Sequence, residues 1–472
     1  MSAAASVSPV ESVVAELVRR ARAAQAIADG YDQARVDELV AAAAWAILEP
    51  ARNRSLAELA VRDTGIGEVE DKVLKNHRKT LGLLRDLHGL RTVGVVLDDL
   101  ETGITEIARP AGVVCAVTPS TNPAATPANK IINALKARDA VIVAPSPKGA
   151  STCAKLLEYV HAELARIGAP TDLVQMLPMP VSREATNELM RRCDLVVATG
   201  SQTNVLAAAA SGTPSFGVGL GNVASIVDET ADLEDAARKI VESKTFDNAT
   251  SCSSENSVVL VEAIAEPMIA ALGRHGCVMV RGEDRSRLEA SMWPGGKLSP
   301  AVIGQSVAAI AQRAGLADPK AKDASVLMVE ESDAGPAHRF SGEKLSPVLT
   351  VYRARDFGHA KEIVRRIYAY QGAGHSVSLH SKVAERALDL GLTLPVARVI
   401  VNQVHVVANG GSFSNGLPVS LSMGCGTWGR NIFSDNLNVR QYLNVTRVVR
   451  PIPERVPELD DLLADYFGRY GR

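Results

Sequence analysis

Six cysteines are spread over 472 residues, and one of them, Cys252, has a setting suited to covalent chemistry. It lies in Phe246-Asp247-Asn248-Ala249-Thr250-Ser251-Cys252-Ser253-Ser254-Glu255, a small, polar, loop-like segment just before an apolar strand. A nucleophilic thiol must be reachable and readily ionised, and this segment predicts a reachable one. Cys115, Cys153 and Cys193 have apolar or helix-periodic neighbours and read as small core residues, whereas Cys425, within Met423-Gly424-Cys425-Gly426, reads either way. No two cysteines form a CxxC pair and no His and Cys residues have zinc-site spacing, so neither a metal centre nor a disulfide framework is expected.

Two further motifs carry chemistry less specifically. Gly217-Val218-Gly219-Leu220-Gly221-Asn222 is glycine-rich but opens no evident phosphate-binding helix, so it reads as a tight turn or a ligand loop. His375, within Gly372-Ala373-Gly374-His375-Ser376, has the residue type of an acid or base, but the sequence around it favours a hydrogen-bonded turn residue. No GxGxxG follows an early strand, so the common dinucleotide fingerprint is missing.

The elements that must position these residues follow from periodicity. Residues 9–48 predict two helices broken near Asp29-Gly30, and residues 92–110 predict a β-hairpin turned at Thr102-Gly103. From Gly112 to Ala210, apolar runs at 112–118, 140–144, 173–177 and 195–198 alternate with helical stretches. Parallel strands need crossover helices, so this alternation predicts a doubly wound parallel sheet. Ligands bind beyond the carboxyl ends of such strands, which directs attention to the loops 118–122, 144–148, 199–203 and 216–222. A second alternation, 223–410, predicts another α/β domain in extensive contact with the first across a cleft. The tail adds a strand at 445–449 and an acidic helix at 459–467. The expected organisation is a cofactor domain over 1–222, a catalytic domain over 223–410, and a return to the first domain over 411–472.

Bulk properties bound the partners. Net charge is −2, which gives no electrostatic reason to expect nucleic acid or an anionic membrane. No run approaches eighteen apolar residues, and Met1–Glu11 lacks the basic-then-apolar pattern of a leader, so a cytoplasmic protein is expected.

Taken in order, the motifs resemble the acylating, coenzyme-A-dependent branch of the aldehyde dehydrogenase superfamily almost end to end. The matching stretches are Pro110-Ala111-Gly112-Val113-Val114, Thr118-Pro119-Ser120-Thr121-Asn122-Pro123, Ala198-Thr199-Gly200 and Gly217–Asn222. Phe246-Asp247-Asn248 ahead of Cys252, Gly342-Glu343-Lys344-Leu345-Ser346-Pro347-Val348, Gly374-His375-Ser376 and Gly424–Gly429 complete them.

The resemblance implies a two-domain α/β fold with a Rossmann-like cofactor domain, and a reaction in which Cys252 attacks an aldehyde. Asn122 and the Cys252 N–H are then expected to hold the oxyanion, a donor of this kind lowering a barrier by about 3–4 kcal/mol. Hydride leaves to NAD or NADP, and a thioester remains on Cys252. Hydrolytic relatives place a glutamate in the segment equivalent to Phe216–Gly221; its absence here implies that coenzyme A takes the acyl group, with His375 as the candidate base. Thr118, Pro119, Ser120, Pro145, Ser146, Gly200, Ser201, Gly217, Gly219 and Glu343 are the expected cofactor contacts. Pro147 stands where many relatives have an acid facing the ribose, which leaves NAD against NADP open. The later segments resemble relatives acting on short anionic aldehydes, such as sulfoacetaldehyde or succinic semialdehyde, with His405, Asn415 and Arg430 as expected anion partners. A propanal-type microcompartment enzyme, a hydrolytic dehydrogenase and a non-catalytic scaffold are the alternatives. A homodimer or homotetramer, free of any microcompartment, is expected.

Overall fold

The computed structural model describes residues 8–472; the leader expectation therefore falls largely outside the described residues. Four helices open the chain: α1 (Pro9–Asp29), α2 (Gln33–Leu48), α3 (Pro50–Thr64) and α4 (Val69–Leu87). Ser8 caps α1 through a full capping box with Glu11, which fixes where the first helix starts. The hairpin follows as β1 (Gly94–Asp99) and β2 (Ile104–Pro110).

The first sheet alternates strand and helix: β3 (Val113–Thr118), α5 (Ala125–Lys136), β4 (Ala140–Pro145), α6 (Ala150–Arg166), β5 (Val174–Met176) and α7 (Arg183–Arg192). It ends with β6 (Leu195–Thr199), α8 (Gln202–Ala210) and β7 (Ser215–Val218). All its pairs are parallel, in the order β5-β4-β3-β6-β7. Chain direction across the sheet therefore reverses between β3 and β6, and the loops leaving these two strands form the topological switch point. Val113–Val117 and Ala140–Ala144 are buried throughout, as expected of strands covered by helices on both faces.

The second sheet begins at Val223, five residues after the first one ends. Its strands are β8 (Val223–Val227), β9 (Glu255–Val261), β10 (Cys277–Met279), β11 (Val326–Glu330), β12 (Val348–Ala354), β13 (Val377–His380) and β14 (Val399–Val401). They lie parallel in the order β10-β11-β12-β9-β8-β13-β14. Helices α9 (Leu233–Thr245), α10 (Ala265–Arg274), α11 (Gly282–Met292), α12 (Val307–Ala314), α13 (Phe357–Tyr370), α14 (Ala384–Thr393) and α15 (His405–Ala408) connect or flank them. Beyond this domain the chain returns: Leu437, Val439 and Tyr442 join the core of the first sheet, and Phe433 stacks edge-on against Phe216 at 5.2 Å. The last strand, β15 (Leu443–Val449), pairs antiparallel with β2, and α16 (Leu459–Tyr470) follows. No helix among the described residues is long and apolar enough to cross a membrane.

Helices α3 and α4 and strands β8, β10 and β13 lie in stretches from which periodicity predicted nothing. The three strands have only three to five residues each, too few to display a period.

Candidate active site

The amino ends of four adjacent strands, β12, β9, β8 and β13, face one place. Glu343 precedes β12, Cys252 precedes β9, Gly221 precedes β8 and His375 precedes β13. The loop from β7 to β8 carries Gly219–Asn222, so the two sheets meet here and the cleft between them is the site.

His375 is fully buried, and its Nε2 lies 3.3 Å from the Sγ of Cys252. Its Nδ1 contacts Ser376 Oγ at 2.8 Å, and its carbonyl accepts from Arg398 at 3.0 Å. Arg398 also binds the carbonyls of Gly424 and Ser434 and the side chain of Asn436, fastening the His375 backbone to the 424–436 segment. Burial drives the imidazole well below its ordinary range, with the Arg398 and His405 charges acting in the same direction, so His375 rests neutral. Gly221 completes the packing: a Cβ there would sit 2.5 Å from the Cys252 carbonyl oxygen and 3.1 Å from the His375 ring. Only glycine fits, and an acid at this point is excluded by contact.

The sequence predicted a reachable thiol; the structure qualifies this. Cys252 is half-buried, and burial pushes its thiol up to about 12, Glu343 and Cys425 adding to the effect. The resting group is therefore a thiol, and its proton has one nearby ring nitrogen to go to. Its backbone N–H has no protein acceptor among the described residues.

The turn that presents Cys252 is strained and held from outside. Asp247, Asn248 and Ala249 take positive φ values of 50°, 50° and 56°, three successive non-glycine residues in the left-handed region. Asp247 anchors them: its carboxylate accepts from Lys72 (3.1 Å), Lys75, the Glu68 N–H (2.9 Å) and the Thr250 hydroxyl (2.8 Å). Burial opposes ionisation of Asp247, but Lys75 and Lys72 outweigh it and hold the carboxyl below its ordinary value. Lys75 also donates to Asn122 Oδ1 at 2.9 Å, which turns the amide N–H₂ away from α4. Asn122 is thus not a side-chain cap of α5; its backbone carbonyl, not its amide, meets the helix at Thr126. Lys72 and Lys75 escaped the sequence reading, although their spacing with Lys79, three and then four residues apart, is that of one helical face.

The switch point of the first sheet provides the second half of the site. Thr118, Pro145, Ser146, Ser182, Arg183 and Asn204 are among the residues lining a cavity of about 300 Å³ beyond the carboxyl ends of β3 and β4. Thr118 Oγ1 is buried there without a protein partner, the mark of a group that awaits a ligand. Pro119 packs 3.7 Å from the position of a Gly200 Cβ, and Ser201 caps α8 through Asn204 N–H at 3.3 Å. The cavity thus presents hydroxyl and amide groups from Thr118, Ser146, Ser182 and Asn204 and a cation from Arg183. Gly217 and Gly219 instead pack against Val205 and Gln202 of α8 and serve close helix–sheet approach. The Glu343 carboxylate accepts from the Gly221 N–H at 3.2 Å, and burial pushes it up to about 8.

The three expected anion partners differ in their surroundings. His405 is buried with Nδ1 on the Ser253 carbonyl, the Asn415 amide donates to Gln403 and Ala408, and Arg430 is exposed with φ of 58°. The Nδ1 of His405 and the Asn415 amide are bonded within the protein, His405 Nε2 is buried without a protein partner, and Arg430 lies in solvent. A larger surface hollow of about 620 Å³ between Arg287 and Arg313 contains none of these residues.

Comparison with known proteins shows the family. The aldehyde dehydrogenase family profile matches residues 6–286. A sulfoacetaldehyde dehydrogenase (acylating) of Cupriavidus necator is 64% identical over 97% of this chain and 93% of its own. A second, from Bilophila wadsworthia, is 42% identical over 97% of this chain and 99% of its own. The crystal structure of an acetylating aldehyde dehydrogenase from Geobacillus thermoglucosidasius superposes with a TM-score of 0.91 at 34% identity, covering 95% of this chain and 98% of that one. The chain belongs to the aldehyde dehydrogenase family, among its acylating members.

Proposed function

We propose that the protein oxidises sulfoacetaldehyde to its coenzyme A thioester, using a nicotinamide dinucleotide as hydride acceptor. The observation that carries the acyl-transfer reading is the contact of Cys252 Sγ with His375 Nε2 at 3.3 Å beside a Phe216–Gly221 segment that carries no carboxylate. The anionic aldehyde is supported by the two relatives named above.

Sγ attacks the aldehyde carbon as Nε2 of His375 takes its proton, so the thiolate need not exist free in the buried pocket. The Asn122 amide, held by Lys75, and the Cys252 N–H donate to the oxygen as it becomes negative. When bound, the dinucleotide supplies the hydride acceptor; Thr118, Ser146, Ser201 and Arg183 would hold it, with Glu343 at the nicotinamide side. After hydride loss His375 gives the first proton up to solvent; neutral again beside the thioester, it takes the proton of the entering coenzyme A thiol and returns it to the Cys252 sulfur as that leaves. The balance is aldehyde, coenzyme A and oxidised dinucleotide giving acyl thioester, reduced dinucleotide and one proton.

Reduction of NAD or NADP should be sustained only when coenzyme A is present, with sulfoacetaldehyde preferred to propanal. Without coenzyme A, mass spectrometry should find one acyl group on Cys252. Equal turnover with and without coenzyme A overturns the acyl-transfer reading.

A further inference from the structure

One turn beyond Lys75, the residue that holds Asn122, helix α4 carries Arg78 and Lys79. With Val407, Ser412 and Phe413 they line a narrow cleft of about 20 Å³. That is room for a group about the size of one or two waters, enough for a small headgroup and too little for a nucleotide. Other residues of the two segments that form it touch the surroundings of the nucleophile. On one side, Lys75 reaches Asn122 Oδ1 at 2.9 Å and Thr250 Oγ1 at 3.4 Å. On the other, α15 holds the residue next to Cys252: His405 Nδ1 meets the Ser253 carbonyl at 2.8 Å, and Asn409 donates to the Ser253 hydroxyl at 2.9 Å.

The charges in this cleft are not balanced. Lys72 and Lys75 share Asp247, and Arg85 is paired with Asp86. Lys79, half-buried, instead donates to the carbonyls of Gly410 (2.8 Å) and Gly411 (3.2 Å), and Arg78 lies over the Phe413 ring at 5.5 Å. Neither has a carboxylate partner among the described residues. Burial, with Lys75 and Arg78 adding to it, pulls Lys79 down to about 7, so an anion arriving beside it would secure its proton. A cation held as Lys79 is, partly buried and without a paired carboxylate, costs free energy that a bound anion recovers.

We propose that this cleft receives the anionic end of the aldehyde, with Lys79 and Arg78 pairing with the sulfonate while the carbonyl carbon stands at Cys252. The assignment rests on the anionic-aldehyde reading above and replaces His405, Asn415 and Arg430 as the specificity residues.

The test compares kcat/KM for sulfoacetaldehyde and propanal, at saturating coenzyme A and NADP, in the parent enzyme, Lys79→Met, Lys79→Arg and Arg78→Gln. The sulfoacetaldehyde-to-propanal ratio should fall about 10- to 100-fold in Lys79→Met and in Arg78→Gln, mainly through KM, and Lys79→Arg should keep most of it. A parent that prefers sulfoacetaldehyde with variants that keep the ratio overturns the cleft assignment alone. A parent without preference overturns the anionic-aldehyde reading and the assignment with it. A rise in the KM of coenzyme A, equal with both aldehydes, would assign the cations to the phosphates of coenzyme A and also overturn the proposal. If Lys79→Met fails to fold because the 410–411 loop loses its tie, Arg78→Gln, at an exposed position, carries the test.

Discussion

His375 Nε2 and Cys252 Sγ lie 3.3 Å apart although 123 residues of chain separate them. Both enter the site from the amino end of a strand, β13 and β9, with only β8 between them in the sheet. The first consequence concerns ionisation. With the thiol pushed up to about 12, alkylation of the resting enzyme by iodoacetamide should climb with pH and show no plateau below about pH 10. A plateau near neutral pH would mean a preformed thiolate. His375→Ala should lower single-turnover acylation about 100-fold or more, as loss of a general base does.

The Asp247 anchor is open to a stability test. Asp247→Asn leaves Lys72 and Lys75 buried without their carboxylate, and should cost about 3–5 kcal/mol in urea or thermal unfolding. The pH dependence has a definite sign. The folded carboxyl sits below its unfolded value, so its contribution is complete above the unfolded value and is lost as pH falls through the folded one. The acid limb of the stability curve should be shallower in Asp247→Asn; an unchanged limb would show that the ion pairs do not contribute.

Cofactor choice should follow the lining of the adenosine side. The cavity beyond β3 and β4 has Arg183 and no carboxylate on its walls, and Pro147 stands on its rim. NADP should therefore be preferred to NAD. Pro147→Glu, which sets a negative charge against a 2′-phosphate, should lower kcat/KM for NADP at least about tenfold more than for NAD. A parent enzyme that prefers NAD would contradict this.

The arm formed by β1, β2 and β15 exposes Val95, Leu97, Val445, Val448 and Val449, and α16 exposes Leu459, Leu462, Tyr466 and Tyr470. An apolar ribbon of this kind is expected to be covered by a second copy of the chain. Val448→Asp with Val449→Asp should shift sedimentation from dimer or tetramer to a species near the 49.9 kDa monomer. A parent that already sediments as a monomer would remove the basis for this expectation.

What the sequence determined by itself is what repeats locally or stands in order along the chain. The strand–helix alternation from Gly112 to Ala210 predicts parallel strands because hydrophobic period and segment length are local properties. The hairpin is readable from its Thr102-Gly103 turn, and Cys252 from the small polar residues around it. Asn122, Glu343 and the glycine run were legible only jointly, through the order of motifs. Tertiary structure decided the rest, because it depends on which strand lies beside which. Only the order β12-β9-β8-β13 brings the loops of Glu343, Cys252, Gly221 and His375 together. A histidine in a glycine-rich turn shows no sign of the thiol it meets, and a thiol in a polar loop shows no sign of the burial that raises its pKa. Lys72, Lys75 and Lys79 look like solvated charges in the sequence. Their burial against Asp247, Asn122 and the 410–411 carbonyls is set by packing α4 across the cleft, and desolvation makes those contacts matter.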